Sequence, residues 1–248
     1  MKLALLADVH ANRHALQACL ADAGRRGATQ HAFLGDLVGY GAEPAAVLDI
    51  IMALHHRGAW VLRGNHDEAV LDAAPPLGQD HAGAAWTADQ LGAARREFLA
   101  GLPLLVERDF ICLVHASAND PTAWHYVREP GSAAASLGAA HDRGLTHVFG
   151  GHVHEQRLFF QGAVGKVMPF EPTVNVPIPL PRHRRWLATV GSVGQPRDGR
   201  NEAMYALFDT DGLQLTFVRV PYDHQAAAQA ILAAGLPEFN ARRLALGK

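Results

Sequence analysis

Short apolar runs alternate with amphipathic segments through the first quarter of the chain. The runs KLALLA (2–7), HAFLG (31–35) and AWVLRG (59–64) have the length and composition of buried strands. Apolar residues at helical spacing separate the first two runs, and residues 43–58 have an early proline, acidic residues near the start and a glycine at the end. This pattern predicts a β-α-β-α-β order with parallel strands, which is typical of a layered α/β domain.

The middle of the chain changes from strand patterns to an alanine-rich segment at about 68–102. Its apolar spacing predicts short helices, which we interpret as a helical insertion over one face of the sheet. An ordinary helical connection explains the same pattern equally well. Residues 102–117 then predict two strands, residues 133–144 a helix and residues 146–151 a further strand.

The remaining residues are rich in β patterns. Short apolar runs separated by proline and glycine fill residues 155–190, a hairpin is predicted around the TDG sequence at 210–212, and one helix ends the chain. Two packed mixed β-sheets flanked by helices, an α/β sandwich, accommodate both halves of this pattern. We predict a single domain over residues 1–248.

Composition narrows the class of protein. With 49% hydrophobic residues the chain can bury a large core, and its net charge of −2 predicts no basic face for a membrane or for long nucleic acid. The two cysteines do not form a CxxC motif, and the N-terminus lacks a signal-peptide pattern. No apolar run reaches the roughly 18 residues of a membrane span. We therefore expect a soluble cytoplasmic protein, and the oligomeric state stays open.

Residue types that bind metals follow five of the predicted strands directly. Because the carboxyl ends of parallel strands share one edge of a sheet, residues far apart in sequence are expected to converge there. The candidates are Asp8, His10, Asp36, Asn65, His66, Asp67, His115, His152 and His154. Glycines stand just before these turns, as expected where a chain bends sharply or passes close to a ligand, at Gly35, Gly64, Gly150 and Gly151.

The candidate ligands are carboxylates, imidazoles and one amide oxygen, which suit manganese, iron, zinc, cobalt or nickel. A tetrahedral site needs about four ligands, so this larger set favours two ions that share a bridging carboxylate. Paired ions of this kind are a recurring device for cleaving phosphoesters. If the strand stays extended through GHVH, His152 and His154 face the same side about 6.5–7 Å apart, which suits one histidine on each ion.

The order of these motifs resembles the calcineurin-like metallophosphoesterase superfamily, whose pattern is DxH, GD, GNH[DE], a single H and GHxH. Here the pattern is DVH, GD, GNHD, a histidine at 115 and GHVH, over residues 8–154. The downstream sequence GSVGQPRDG at 191–199 is similar to the small bacterial phosphodiesterase branch. The resemblance implies a β-sandwich flanked by helices and a hydrolase that acts on phosphoesters.

The resemblance also implies a role for each ligand. Two divalent ions are expected, with manganese favoured and iron, zinc, nickel or cobalt as alternatives. One ion would be bound by Asp8, His10 and His154 and the other by Asn65, His115 and His152, with Asp36 bridging them. A hydroxide between the ions would attack phosphorus, and His66 would protonate the leaving oxygen.

Three further residues each have two alternative roles. Asp67 would assist catalysis by orienting a neighbour, or would cap the helix that follows it. Asn12 would support the substrate-binding site, or would be the N-cap of the first helix. Arg197 would contact the substrate phosphate, or would be structural.

The sequence after the expected bridging aspartate departs from other branches of the family. Protein Ser/Thr phosphatases and symmetrical dinucleoside tetraphosphatases carry an acid and an arginine there, whereas this chain has Gly39 and Tyr40 in GDLVGYG. The difference argues against a protein phosphatase. It also leaves open how His66 is held in place.

Three functions are therefore in competition. The complete ligand set favours an enzyme that hydrolyses phosphodiesters or small, nucleotide-like phosphomonoesters. A non-catalytic interaction scaffold with the same fold would be expected to have lost several ligands. A nuclease is the third alternative, against which the net charge of −2 argues, because long nucleic acid requires basic surface.

Overall fold

The computed structural model describes residues 1–72, 79–162 and 165–248. The helices are α1 (Arg13–Arg25), α2 (Pro44–His55), α3 (Asn65–Leu71), α4 (Gln79–Gln90), α5 (Ala93–Ala100), α6 (Pro130–His141), α7 (His224–Ala233) and α8 (Glu238–Leu246). The strands are β1 (Lys2–Leu6), β2 (Gln30–Leu34), β3 (Trp60–Leu62), β4 (Leu105–Arg108), β5 (Ile111–Val114), β6 (His147–Gly150), β7 (Gln156–Gln161), β8 (Val167–Phe170), β9 (Ile178–Pro179), β10 (Arg185–Val190), β11 (Ala203–Asp209) and β12 (Gln214–Val220).

The strands form two mixed sheets. The first sheet has the order β3-β2-β1-β11-β12-β9, and the second has the order β4-β5-β6-β10-β7-β8. In the first sheet β1, β2 and β3 are parallel, as the sequence predicted, and β11 joins β1 in the antiparallel direction. In the second sheet β5, β6 and β10 are parallel. The predicted hairpin is confirmed, since β11 and β12 pair antiparallel across the TDG turn.

Strand β1 is buried on both faces, which explains its uninterrupted apolar sequence. Leu3 and Leu5 point into the core between the sheets, whereas Ala4 and Leu6 point to the core beneath the helices, following the two-residue period of a strand. Between the sheets, the rings of Phe149 on β6 and Phe208 on β11 lie 5.0 Å apart. The two sheets therefore pack face to face as a sandwich.

Helices cover the outer faces of the sandwich. Helices α1 and α2 lie on the first sheet, and α6 lies on the second, where Leu137 packs with Val148. The segment predicted as an insertion contributes α3, α4 and α5, whose Val70 and Leu99 join the core under α1 and α2. Its residues 73–78 lie outside the described part of the chain. No helix in the described ranges has the length and hydropathy needed to cross a bilayer.

The chain ends in two helices, where the sequence predicted one. Gly235 has a φ of +70° and Pro237 is the N-cap of α8, so the helix breaks between Ala233 and Glu238. Ile231 of α7 and Leu244 of α8 pack in a small core of their own. This pair of helices lies beside the edge of the sandwich that carries the candidate ligands, as its hydrogen bond from Asn240 Nδ2 to the Tyr40 carbonyl (3.3 Å) shows.

Candidate metal centre

The ends of five parallel strands meet at one edge of the sandwich. Each of β1, β2, β3, β5 and β6 is followed within a few residues by one or more of the predicted ligands. Main-chain hydrogen bonds join these turns: Asp8 N donates to the Gly35 carbonyl (3.1 Å) and His10 N to the Asp36 carbonyl (3.0 Å). Across the two sheets, the His152 amide donates to both carboxylate oxygens of Asp8 (3.1 and 2.9 Å). The structure thus brings the ligands of both sheets together.

One buried group consists of Asp8, His10, Asp36 and His154, whose ligand atoms all lie within 4.8 Å of one another. His10 Nε2 is 3.1 Å from His154 Nε2 and 3.8 Å from Asp36 Oδ2. His154 Nε2 is 3.4 Å from Asp8 Oδ1. Two ligands bound to one ion at about 2.1 Å are separated by about 3.0 Å at a right angle and by up to about 4.2 Å on opposite sides, so these spacings suit a shared cation.

A second buried group consists of Asp36, His115 and His152. His115 Nε2 lies 3.4 Å from Asp36 Oδ2 and 3.2 Å from His152 Nδ1. The amide oxygen of Asn65 completes this group at 3.1 Å from His115 Nε2. Asp36 belongs to both groups, so a single carboxylate joins them. His152 and His154 fall in different groups.

The tautomers of His10 and His154 favour a cation between them. Burial lowers the pKa of both imidazoles well below the usual value, so each is neutral and carries one N–H. His10 Nδ1 lies 3.2 Å from the Val38 carbonyl, and His154 Nδ1 lies 2.6 Å from the Gln195 carbonyl. These carbonyls accept the N–H groups, which leaves two Nε2 lone pairs facing each other at 3.1 Å. A divalent ion satisfies both lone pairs.

In the second group, His115 and the shared Asp36 carboxylate affect each other's pKa. Burial opposes a charged imidazole, but the Asp36 carboxylate raises the pKa of His115 to about 9. His115 Nδ1 donates to the Leu34 carbonyl (2.8 Å), which directs Nε2 towards the site. Burial and the nearby Asp36 carboxylate raise the pKa of Asp8 to about 8, even though the charge of His115 lowers it. Among the described residues, neither Asp8 nor Asp36 forms a salt bridge with a lysine or an arginine. Because buried carboxylates need a compensating positive charge, this arrangement also favours bound cations.

The ligand-bearing turns have an unusual backbone. Left-handed φ angles between +49° and +66° occur at Asp8 (54°), His10 (49°), Asp36 (53°), His152 (66°) and His154 (61°). Each such residue costs about 1–2 kcal/mol, and such conformations cluster at functional sites. The sequence argument that GHVH stays extended was therefore wrong: β6 ends at Gly150, and a tight turn separates the two histidines.

His66 lies beside the first group and outside both sets of ligand atoms. Its ring is 4.4 Å from the Tyr40 ring and meets the His10 ring edge-on at 5.1 Å. Its main-chain N donates to Asp36 Oδ1 (2.8 Å). At the sequence positions where other branches have an acid and an arginine, this chain thus supplies an aromatic ring that packs on His66. Tyr40 is therefore a residue of the site, and the sequence indicated it only as a departure from those branches.

Asp67 lies beneath the site, which corrects its assignment to catalysis. One carboxylate oxygen accepts from the main-chain N–H groups of Leu37 (2.9 Å) and Val38 (3.1 Å), and the other accepts from Gly64 N (2.8 Å). Asp67 is fully buried and is the third residue of α3. It therefore caps its helix and fixes the turn after Asp36, and the capping alternative describes it better.

Asn12 is the N-cap of α1, as one of its two predicted roles requires, and its role in substrate binding stays a prediction. Its Oδ1 accepts from Ala15 N (3.0 Å), and its Nδ2 donates to the Gly194 carbonyl (2.9 Å) and to Tyr222 Oη (3.3 Å). All polar atoms of this amide are used within the protein. Asn12 joins the turn after β1 to the loop at Gly194 and so supports the site from outside.

Arg197 lies close to the site without a direct contact to a ligand side chain. Its guanidinium donates to Gln195 Oε1 (2.8 and 3.2 Å) and lies 5.7 Å from the centre of the Tyr40 ring. Its main-chain N donates to the carbonyl of His154 (3.2 Å). A contact with substrate phosphate stays a prediction for this residue.

Two aromatic residues near the second group were missed in the sequence. The ring of Tyr126 stacks on His152 at 4.1 Å, and Trp124 meets His115 edge-on at 5.7 Å. Tyr126 is 46% exposed, so it presents a free edge at the mouth of the site. Both residues lie in a loop with no family motif, and only the three-dimensional structure brings them to the ligands.

Gly64 is required by close packing rather than by its φ angle. A Cβ at this position would lie 2.2 Å from Asp36 Oδ1 and 2.3 Å from Asp36 N. We expect Gly64→Ala to destabilise the protein by about 3 kcal/mol and to displace Asp36, with a loss of metal binding. Urea unfolding and metal analysis measure the two effects.

The matched control for Gly64→Ala is Gly138→Ala in α6, where no atom lies within 4 Å of the added Cβ. Alanine is favoured over glycine in a helix by up to about 1 kcal/mol, so this variant is expected to unfold at equal or higher urea concentration. Equal stability of the two variants would contradict the close packing of Gly64 on Asp36.

Comparison with known proteins places the chain in a family. Residues 1–213 match the calcineurin-like phosphoesterase superfamily domain. A curated protein of Methanocaldococcus jannaschii, itself described as uncharacterized, is 32% identical over 253 residues, which cover 99% of this chain and 98% of that protein. The crystal structure of a metallophosphoesterase from Sphaerobacter thermophilus has a TM-score of 0.88 and 33% identity, covering 100% of this chain and 99% of the other.

A more distant structure supports the fold alone. The structure of a hypothetical protein from Pyrococcus horikoshii OT3 has a TM-score of 0.79 at 20% identity, covering 100% of this chain and 98% of the other. The predicted sandwich of two mixed sheets flanked by helices is confirmed. From the match over residues 1–213 and the similarity over the full length, the chain belongs to the calcineurin-like phosphoesterase superfamily.

Proposed function

We propose that the protein is a dinuclear metal-dependent phosphoesterase that hydrolyses phosphodiesters or small phosphomonoesters. The observation that carries this proposal is the sharing of Asp36 by two buried ligand groups. Two sites joined by one carboxylate suit ions about 3.5–4 Å apart, which is the spacing of two-metal phosphoester hydrolases. The oxygen and nitrogen ligands are consistent with manganese, with iron, zinc, nickel or cobalt as alternatives.

Each ligand has a distinct part in this proposal. Asp8, His10 and His154 hold one ion, and Asn65, His115 and His152 hold the other, with Asp36 on both. When bound, the ions supply Lewis acidity towards the phosphate oxygens and lower the pKa of water. Main-chain carbonyls fix the imidazoles of His10, His115 and His154 through their Nδ1–H groups, so these three ligand atoms need no reorientation before metal binds.

The residues beside the ligands would act on the substrate itself. His66 is held against Tyr40 and His10 at the edge of the first group, where it would give a proton to the leaving oxygen. Arg197 would bring a positive charge to the phosphate. Tyr126 and Trp124 form an aromatic wall beside the second group, which suits a nucleotide-like organic substituent.

The test is hydrolysis of bis(4-nitrophenyl) phosphate and 4-nitrophenyl phosphate with Mn²⁺, Ni²⁺, Co²⁺, Fe²⁺ or Zn²⁺. We expect turnover that a chelator abolishes and that added metal restores. Failure of every metal with both substrates would refute the enzyme and favour the interaction scaffold. Tight DNA binding that weakens steeply with salt, together with DNA cleavage, would favour the nuclease instead.

A further inference from the structure

A cavity of about 340 Å³ opens beside His66. Its wall is formed by three separate parts of the chain: the turn after β2, helices α3 and α4, and the C-terminal helix α8. The residues that matter for its chemistry are Tyr40, His66, Val70, Thr87, Leu236, Phe239, Asn240 and Arg243. Because His66 faces the proposed site on one side and this cavity on the other, a group leaving the phosphate past His66 would enter the cavity.

One guanidinium group lines the cavity, and a second lies near Tyr40 outside that lining. Arg243 lines it directly, and Arg197 lies 5.7 Å from the centre of the Tyr40 ring. Burial, followed by the positive charge of Arg197, lowers the pKa of Arg243. The positive charges of the two arginines therefore repel each other, and an anion between or beside them would relieve this repulsion.

Neither arginine forms a salt bridge with a carboxylate side chain among the side chains that the structure describes, which leave out those of residues 73–82. Arg197 donates to the neutral amide of Gln195, and Arg243 Nε donates to the Lys248 carbonyl (2.5 Å). Other partly buried arginines do pair with carboxylates, namely Arg13 with Glu43, Arg157 with Glu155 and Arg219 with Asp198. Among the described residues the two Nη groups of Arg243 make no hydrogen bond, so they are available for an anionic ligand in the cavity.

The rest of the cavity wall is apolar. Phe239 is 64% exposed, the highest value among the large hydrophobic side chains described as exposed, and Arg243 lies 4.9 Å from its ring centre. Val70 and Leu236 lie on the same wall. A guanidinium next to an exposed aromatic ring suits a ligand with an anionic group and an apolar or aromatic body.

We propose that this cavity binds the leaving group of the substrate, and that this leaving group carries a negative charge of its own, held by Arg243. The inference rests on the proposed phosphoesterase function. Arg243 is then a specificity residue, and α8, which follows the family-matched residues 1–213, selects the substrate. The bond from Asn240 to the Tyr40 carbonyl holds α8 in the position that this role requires.

The first experiment compares 4-carboxyphenyl phosphate with 4-carbamoylphenyl phosphate, each as the monoester and as its methyl diester. The two leaving groups have nearly the same shape and differ in charge. We expect the wild-type protein to prefer the carboxylate, and Arg243→Met to lower kcat/KM for it by about 10- to 100-fold, the range for a lost hydrogen bond to a charged group. The loss on the carboxamide should be at least about 10-fold smaller.

The matched control is Arg242→Met, which removes the same charge from the neighbouring, exposed position of α8. It should keep the wild-type preference for the carboxylate, and Arg243→Lys should restore part of what Arg243→Met loses. An active wild-type enzyme without a charge preference, or a preference that Arg243→Met leaves intact, would overturn the inference. Circular dichroism and melting of each variant exclude a loss of fold as the cause.

A second readout separates this inference from the proposed function. In chelator-treated protein, adenosine 5′-monophosphate is titrated against adenosine by calorimetry, which requires neither metal nor turnover. Tighter binding of the monophosphate, weakened by Arg243→Met and not by Arg242→Met, supports the anion site even if no substrate is hydrolysed. Equal binding of the two compounds in a protein that fails to hydrolyse any substrate would overturn both proposals.

Discussion

Asp36→Asn is expected to abolish metal-dependent hydrolysis while leaving the fold in place. Asparagine tolerates the left-handed φ of +53° and can still accept the hydrogen bond from His66 N at Oδ1. The substitution therefore removes the shared charge with little change of shape. Because Asp36 belongs to both ligand groups, both ions lose a ligand, and we expect kcat/KM to fall by about 10³-fold or more.

Metal binding by this variant is measured through stability as well as activity. An ion present at 100 times its Kd stabilises a folded protein by about 2.7 kcal/mol, so Mn²⁺ should raise the melting temperature of the wild-type protein. The variant should lose most of that rise. Its metal-free form should melt at or below the wild-type temperature. Burial opposes a charged carboxylate, but the imidazoles of His115 and His66 hold the pKa of Asp36 well below its usual value, so the charge that asparagine removes stabilises the fold.

The control for this prediction is Asp142→Asn, at the exposed C-cap of α6. It removes the same charge far from the ligands and should keep two ions per chain and full activity. If Asp36→Asn retained two tightly bound ions at full stoichiometry, Asp36 would not be the residue that joins the two groups.

The convergence of the candidate ligands could be predicted because their signal is local in the sequence. Each of them comes directly after an apolar strand, and the parallel order of β1, β2 and β3 brings those strand ends to one edge. The hydrophobic pattern decides which strands are buried, so it also decides where the polar residues after them converge. Asp36 and His115, which are 79 positions apart in the printed sequence, meet for this reason.

What holds the ligands could not be predicted, because it comes from the main chain. The carbonyls of Leu34, Val38 and Gln195 fix the imidazole tautomers, and every residue type has a carbonyl. The left-handed φ angles at His152 and His154 have no side-chain signal either, which is why an extended strand was expected there.

Residues with two local roles were equally difficult to assign. The motif places Asp67 beside His66, and sequence alone does not distinguish a carboxylate that faces the substrate from one that binds three main-chain N–H groups. Tyr40 shows the converse. In the sequence it was visible only as a departure from other branches, which have an arginine at this position, whereas in the structure its ring packs on His66.

His66→Ala is expected to lower kcat by about 10²- to 10⁴-fold for substrates with poor leaving groups and to leave metal content near the wild-type value. The side chain lies outside both ligand groups, and the hydrogen bond to Asp36 comes from its main chain, which alanine retains. A series of aryl phosphates with rising phenol pKa measures the effect, since a leaving oxygen of high pKa depends most on proton donation.

The comparison that isolates proton donation uses His183→Ala, at an exposed position in the loop before β10. It should behave as wild type on every aryl phosphate, whereas the loss caused by His66→Ala should grow with the pKa of the phenol. A loss of the same size for good and poor leaving groups would mean that His66 positions the substrate and does not protonate it. A loss of bound metal would instead assign it to the packing that holds His10, through the edge-on contact between their rings.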